Sequence, residues 1–246
     1  MKKIIKKIAE NLYGYWMYLP LRYSYYFQGI RSFFSYLPHE QIIKSSIEFS
    51  GFEELGGDYL EFGVFRGESF IAAYHFAQAK KHLYPTLEKM RFYAFDSFQG
   101  LPEIKGIDAI NPHQFKQGFC SCDVNSFRKN LLRRKIDLKK VTIVPGWYNQ
   151  VLNDQTKKTL PLKKAAVIFI DCDLYESTVP VLNFITDYLQ DGTIIIFHDW
   201  FAFRGRADRG HQRALGEWLV KNPKIIVKEF YKVCSSGNSF IINLIS

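Results

Sequence analysis

Two short segments concentrate the residue types that hold protons or metals. Asp171-Cys172-Asp173-Leu174-Tyr175-Glu176-Ser177-Thr178 follows the apolar run 166–170, and His198-Asp199-Trp200 follows the apolar run 193–197. Continuous apolar runs rich in β-branched residues are the pattern of parallel strands covered on both faces. Open parallel sheets bind ligands beyond the carboxyl ends of their strands. Three acids and a histidine therefore reach the edge where chemistry is done. They suit a divalent-metal site or a general base.

A second pair of segments has the features of a nucleoside site. Glu61-Phe62-Gly63-Val64-Phe65-Arg66-Gly67-Glu68-Ser69 closes one strand pattern and opens a helical one. Gly63 allows a tight turn and close approach of a ligand, Gly67 clears the start of the helix, and Glu61 is placed to accept from a ligand amine. Steric need alone also explains glycines here. The three-glycine dinucleotide pattern and the P-loop lysine are both missing, so a pyrophosphate is disfavoured. Asp96-Ser97 ends the next strand pattern, where a carboxylate can accept both ribose hydroxyls or, alternatively, cap the following turn. Trp147-Tyr148 stands after a third strand, placed to flank an adenine or to pack in the core.

The elements that position these segments alternate. Helical spacing covers 41–49, 69–83, 123–135, 179–189 and 211–221. Strand patterns cover 58–62, 91–95, 141–144, 166–170 and 193–197, and two β-rich runs, 225–231 and 239–245, end the chain without a helix between them. This predicts an α/β fold, a mostly parallel doubly wound sheet with a terminal antiparallel hairpin. The chain of 246 residues suits one such domain over 41–246, preceded by a distinct arm over 1–40.

That arm begins Met1-Lys2-Lys3-Ile4-Ile5-Lys6-Lys7 and continues with many aromatic residues. It has no apolar run near the roughly 18 residues that span a bilayer. Nor does it have the apolar segment and cleavage site of a signal peptide. Basic and aromatic composition suits a lid, a contact with a partner subunit in a homo-oligomer, or peripheral contact with a membrane surface. The formal charge of +9 comes without a helix-turn-helix, zinc-finger or RNP-like pattern, so nucleic acid is not an expected partner. Cys120, Cys122, Cys172 and Cys234 make no disulfide or zinc spacing and fit a reducing cytoplasm.

The segments Glu61-Phe62-Gly63-Val64 with Gly67 and Ser69, Asp96-Ser97-Phe98-Gln99-Gly100-Leu101-Pro102, Pro145-Gly146-Trp147-Tyr148 and Asp171 to Thr178 resemble, in order, the macrocin O-methyltransferase family. The resemblance runs from about residue 57 to 220. It implies a Rossmann-like class I methyltransferase that uses S-adenosylmethionine and a magnesium ion to methylate a hydroxyl of a sugar or glycoside. It further implies that Asp171, His198 and Asp199 hold the metal, with Asp171 both ligand and base. His198 stands where the family more often has aspartate. Imidazole is the softer ligand, which leaves manganese as an alternative and His198 as either ligand or base.

Asp173 is expected to point away in an extended segment and to serve structure. The arginines of 204–213 suit an anionic glycan, or simply form a solvated loop. Two rival functions share some of these residues. A metal-dependent nucleotide-sugar glycosyltransferase would also use an Asp-x-Asp segment, and a non-catalytic adapter would keep the fold and use the arm.

Overall fold

A computed structural model describes residues 38–110, 115–233 and 236–245. The expectations for the arm over 1–37 and for Cys234 lie outside the described residues. In chain order the described elements are α1 (Pro38–Phe52), β1 (Asp58–Phe62), α2 (Glu68–Lys80), β2 (Phe92–Asp96), α3 (Val124–Arg133), β3 (Val141–Pro145), α4 (Tyr148–Val151) and α5 (Asp154–Thr159). These are followed by β4 (Ala165–Ile170), α6 (Tyr175–Ile185), β5 (Ile194–Phe197), α7 (Gly210–Lys221), β6 (Ile225–Val233) and β7 (Gly237–Leu244). Helix α1 begins at Pro38, ahead of the expected start at residue 41. No helix among the described residues is long and apolar enough to cross a membrane.

The seven strands form one sheet in the order β3-β2-β1-β4-β5-β7-β6. Strands β1 to β5 are parallel, and β7 joins β5 antiparallel with β6 as the outer strand. The expected hairpin is therefore present, turned so that its second strand lies against the sheet.

Each central strand supplies both cores by simple alternation. Tyr59, Val167, Phe169, Ile194 and Ile196 pack on one face with Ile42, Ile43, Ile47, Phe70 and Phe127 of α1, α2 and α3. Leu60, Phe62, Ile168, Ile170, Ile195 and Phe197 pack on the other with Val181, Leu182, Leu215 and Trp218 of α6 and α7. Burial on both faces is why these strands read as unbroken apolar runs.

The winding reverses between β1 and β4, so a crevice opens beyond their carboxyl ends. There the chains come very close. Asp171 N–H donates to the Phe62 carbonyl at 2.8 Å, and Gly63 N–H to that of Phe95 at 2.9 Å. A Cβ on Gly63 would lie 2.0 Å from the Asp171 carbonyl oxygen, and Gly63 has φ +92°. The glycine is thus required by the neighbouring strand, whatever else approaches it.

Two local outcomes differ from the sequence pattern. Helix α6 starts at Tyr175, four residues before the expected 179, because a distant carboxylate caps it. Asp108 accepts from the N–H groups of Tyr175 at 3.0 Å and Glu176 at 3.1 Å. Helices α4 and α5 were not anticipated; at 4 and 6 residues they are too short for a helical period to register.

Replacing Gly63 by alanine should destabilise the domain by more than the roughly 1–3 kcal/mol that the backbone conformation alone costs a side chain. Urea unfolding of the variant checks this, and a stability equal to wild type would contradict the close approach.

Candidate active site

The crevice is a cavity of about 1020 Å³. Its lining brings together the ends of five strands: Gly63 after β1, Asp96 and Ser97 at β2, Trp147 and Tyr148 after β3, Asp171 to Asp173 after β4, and His198 and Asp199 after β5. Eight of the ten residues expected from sequence to bind cofactor or metal thus face one space. Glu61 and Gly67 do not line it.

Strands β4 and β5 are neighbours in parallel register, Ile170 beside Phe197, and His198 N–H donates to the Ile170 carbonyl at 3.0 Å. Whatever follows each strand must therefore meet. His198 Nδ1 lies 2.9 Å from Asp171 Oδ1 and 3.0 Å from Asp199 Oδ2. One ligand atom from each of the three residues lies within 4.8 Å of the others.

Burial works against a charged imidazole here, but hydrogen bonds and attraction from both carboxylates win, and the His198 pKa rises to about 11. A protonated His198 is then the counter-cation of an acidic pocket. Asp199 is held down to about 2, the partial burial that opposes ionisation being outweighed by His198 and by a hydrogen bond from Asp173.

Asp173 corrects the sequence reading. It lines the cavity instead of pointing away, because its backbone is left-handed, φ +63°, and not extended. Burial first, then the charges of Asp171 and Asp199, push its carboxyl well above the usual range, and it shares a hydrogen bond with Asp199. Two carboxyl groups this close hold one proton between them. The site fits a divalent cation: the carboxylates are the donors that hard cations favour, His198 adds a softer nitrogen, and the positions now taken by a proton and an imidazolium are where positive charge is needed.

The cofactor side is organised more by the protein's own bonds than expected. Asp96 Oδ2 accepts from the N–H groups of Val64 at 2.8 Å and Phe65 at 3.2 Å, and Oδ1 from Phe98 N–H at 2.7 Å. With about four acceptor positions on a carboxylate, one is left facing the cavity, so two ribose hydroxyls cannot both be served by free lone pairs. Ser97 Oγ donates to the Gly100 carbonyl at 2.9 Å and accepts from Gln99 N–H at 3.0 Å. Tyr148 does both things considered for it, lining the cavity while its hydroxyl donates to the Phe95 carbonyl at 3.1 Å.

Glu61 does not meet the cavity. Strand alternation turns it toward the α2 face, where its oxygens accept from the hydroxyls of Tyr59 and Ser69, each at 2.6 Å. Gly67 gives α2 its left-handed start, and a Cβ there would lie 2.8 Å from the Phe127 ring.

The segment after β2 closes one side. Leu101, Phe115 and Leu174 form a small core with Ile104, Ala202 and Phe203, and Asp108 fastens the same segment to α6. Sequence reasoning missed Asp108; a capping acid 67 residues from its helix leaves no local signal.

The arginines of 204–213 do not line the cavity. Arg206 pairs with Asp208 at 2.8 Å, and Arg213 pairs with Glu217 at 2.7 Å while lying over the Tyr175 ring.

The family model described as macrocin-O-methyltransferase (TylF) matches residues 41–213. The chain belongs to the macrocin-O-methyltransferase family. Among curated relatives of this macrocin-O-methyltransferase family member, mycinamicin III 3''-O-methyltransferase of Micromonospora griseorubida is 30% identical over 150 residues, covering 58% of this chain and 55% of that protein. The chain spans about half the length of the curated relatives it matches. Among solved structures, the O-methyltransferase NovP superposes with a TM-score of 0.70 at 22% identity, covering 83% of this chain and 79% of its own. The calicheamicin methyltransferase CalS11 does so with 0.72 at 18%, covering 96% and 91%. At these identities the structures show a shared fold, that of class I O-methyltransferases.

Burial raises the Glu61 pKa from 4.5 to about 8, against the lowering effect of its two hydroxyl partners. A carboxyl whose folded pKa lies above its unfolded one costs the fold nothing below about pH 4.5; the cost grows from there and is complete above pH 8. Glu61→Gln should therefore gain stability relative to wild type as pH rises from 5 to 8. Urea unfolding at both pH values reads the difference, and a pH-independent difference would contradict a buried, protonated Glu61.

Proposed function

We propose that this protein is an S-adenosylmethionine-dependent O-methyltransferase acting on a hydroxyl of a sugar or glycoside, with a divalent ion held by Asp171, His198 and Asp199. The observation that carries this reading is the convergence of those residues with Asp173 on the same cavity as the glycine turn and Asp96, in a chain of this family. When bound, S-adenosylmethionine supplies the methyl group, and a divalent ion supplies the Lewis acidity that lowers an acceptor hydroxyl's pKa.

The chain's own residues do the rest. Gly63, Asp96, Trp147 and Tyr148 shape the nucleoside end, where Asp96 offers its one remaining lone-pair position to the ribose. Asp173 is the base for the acceptor's proton: it lines the cavity among the cation-holding acids, and the proton it shares with Asp199 would leave when a cation took that place, freeing its carboxylate. His198, whose ring lone pair would be given to the ion, is not suited to be that base. Asp171 keeps its place as a cation holder and passes the proton-accepting role to Asp173.

Acids dominate the lining: Asp96, Glu103, Asp171, Asp173, Glu176 and Asp199 face it against Lys105 and His198. Such a cavity suits a sulfonium and a neutral acceptor, and it disfavours the anionic glycan that the arginine loop had suggested. Family membership weighs against the glycosyltransferase alternative, and the intact acid cluster weighs against a non-catalytic adapter.

The test combines calorimetry with S-adenosylhomocysteine and transfer of label from S-adenosylmethionine to a panel of neutral glycosides. Wild type should bind S-adenosylhomocysteine and transfer label only with Mg²⁺ or Mn²⁺ present. Asp171→Ala and Asp173→Asn should each lose transfer by at least about a hundredfold, the scale of a removed acid–base group, with S-adenosylhomocysteine affinity kept within twofold. Transfer that survives both EDTA and Asp171→Ala would refute the metal assignment, and failure to bind S-adenosylhomocysteine would refute the cofactor.

A further inference from the structure

Asp173 sits in the cavity only because its backbone is left-handed. Leu174 N–H donates across it to the Cys172 carbonyl at 2.6 Å, so residues 172–174 form a γ-turn about a residue with φ +63°. Turns of this hand are rare, and a non-glycine residue in one persists only where the surroundings over-determine it. Something must hold this turn from outside.

One buried hydroxyl reaches both arms of it. Thr178 Oγ1 donates to the Leu174 carbonyl at 2.7 Å, on the far side of Asp173. It lies 3.6 Å from Cys172 Sγ, on the near side. It also lies 2.8 Å from His211 Nδ1, at the start of α7. The hydroxyl has one proton, given to Leu174, and two lone pairs, which then accept from the Cys172 thiol and the His211 N–H. Its bonding capacity is full. Thr178 is completely buried, and Cys172, Leu174 and His211 are nearly so, so water does not compete for any of these bonds.

A bond from a threonine to the carbonyl four residues back is ordinary in a helix. What is not ordinary is that the same oxygen also takes up the residue before the turn and the first turn of a second helix.

We propose that Thr178 is a positioning residue whose hydroxyl clasps the Cys172–Leu174 turn and so keeps Asp173 directed at the acceptor and Asp171 at the cation site. The inference rests on the roles given to those two acids under the proposed function. The clasp itself, however, is a property of the backbone and is decided independently. His211 serves it as a neutral donor, anchoring the turn to α7.

Crystal structures and Mn²⁺ titrations, the latter followed by electron paramagnetic resonance, of wild type, Thr178→Val and Thr178→Ser test the two parts. In Thr178→Val, which keeps the shape and removes the hydroxyl, Asp173 should leave the left-handed region and Mn²⁺ binding should weaken about tenfold. Affinity for S-adenosylhomocysteine should stay within twofold. Thr178→Ser should restore both the turn and the Mn²⁺ affinity. A left-handed Asp173 in Thr178→Val, or a serine variant as altered as the valine one, would overturn the clasp. If the valine variant does not fold, Thr178→Ala removes the same hydroxyl without adding a methyl group and is judged by the same outcomes. If wild type binds no Mn²⁺ while Asp173 still swings out in Thr178→Val, the clasp stands and the metal reading falls.

Discussion

Like charges gathered at the ends of two adjacent parallel strands are the constraint around which this site is built. Parallel register places residue 171 beside residue 198, and the chain puts carboxylates at 171, 173 and 199. Three acids this near cannot all ionise without a compensating cation. The protein meets the condition with an imidazolium flanked by two of them and a proton shared with the third. An arrangement that satisfies itself in this way is also ready to exchange protons for a metal ion, since the same lone pairs serve both.

The strand carrying Asp171 sits between β1 and β5, so its carboxyl end borders both halves of the crevice. This central place explains why Gly63 must be a glycine and why the nucleoside side and the acid cluster share one cavity. Asp96 ties the turn after β1 to the loop after β2 by accepting from both. The floor of the cavity is thus a set of strand ends linked by backbone hydrogen bonds to carboxylates, and few of its parts can shift alone.

Much of this was legible in the sequence, for reasons that differ by residue. Strands β4 and β5 declared themselves because burial on both faces leaves only apolar residues, and the acids that follow them stood out by contrast. Eight of the expected ligand residues face the cavity because strand ends in this fold leave them little choice. Glu61 was misplaced by a one-residue matter of alternation: its side chain follows Tyr59 to the α2 face, where two hydroxyls meet it. Asp173 was misjudged because its φ of +63° belongs to the tight Cys172–Leu174 turn, which the extended pattern of the preceding strand does not record. Asp108 and the early start of α6 depend on a contact between distant parts of the chain, and local patterns do not record such contacts.

That same contact bears on how the acceptor side of the molecule could be altered. The segment after β2 gives Leu101, Glu103, Lys105 and Phe115 to the cavity lining. Its Asp108 also completes the first turn of α6, the helix that carries Thr178 and follows directly on the acid turn. A graft that brought in a foreign loop without a carboxylate at that point would leave two amide groups bare beside the acids. Swapping this loop between proteins is therefore also an operation on the helix beneath it, and modularity ends at Asp108.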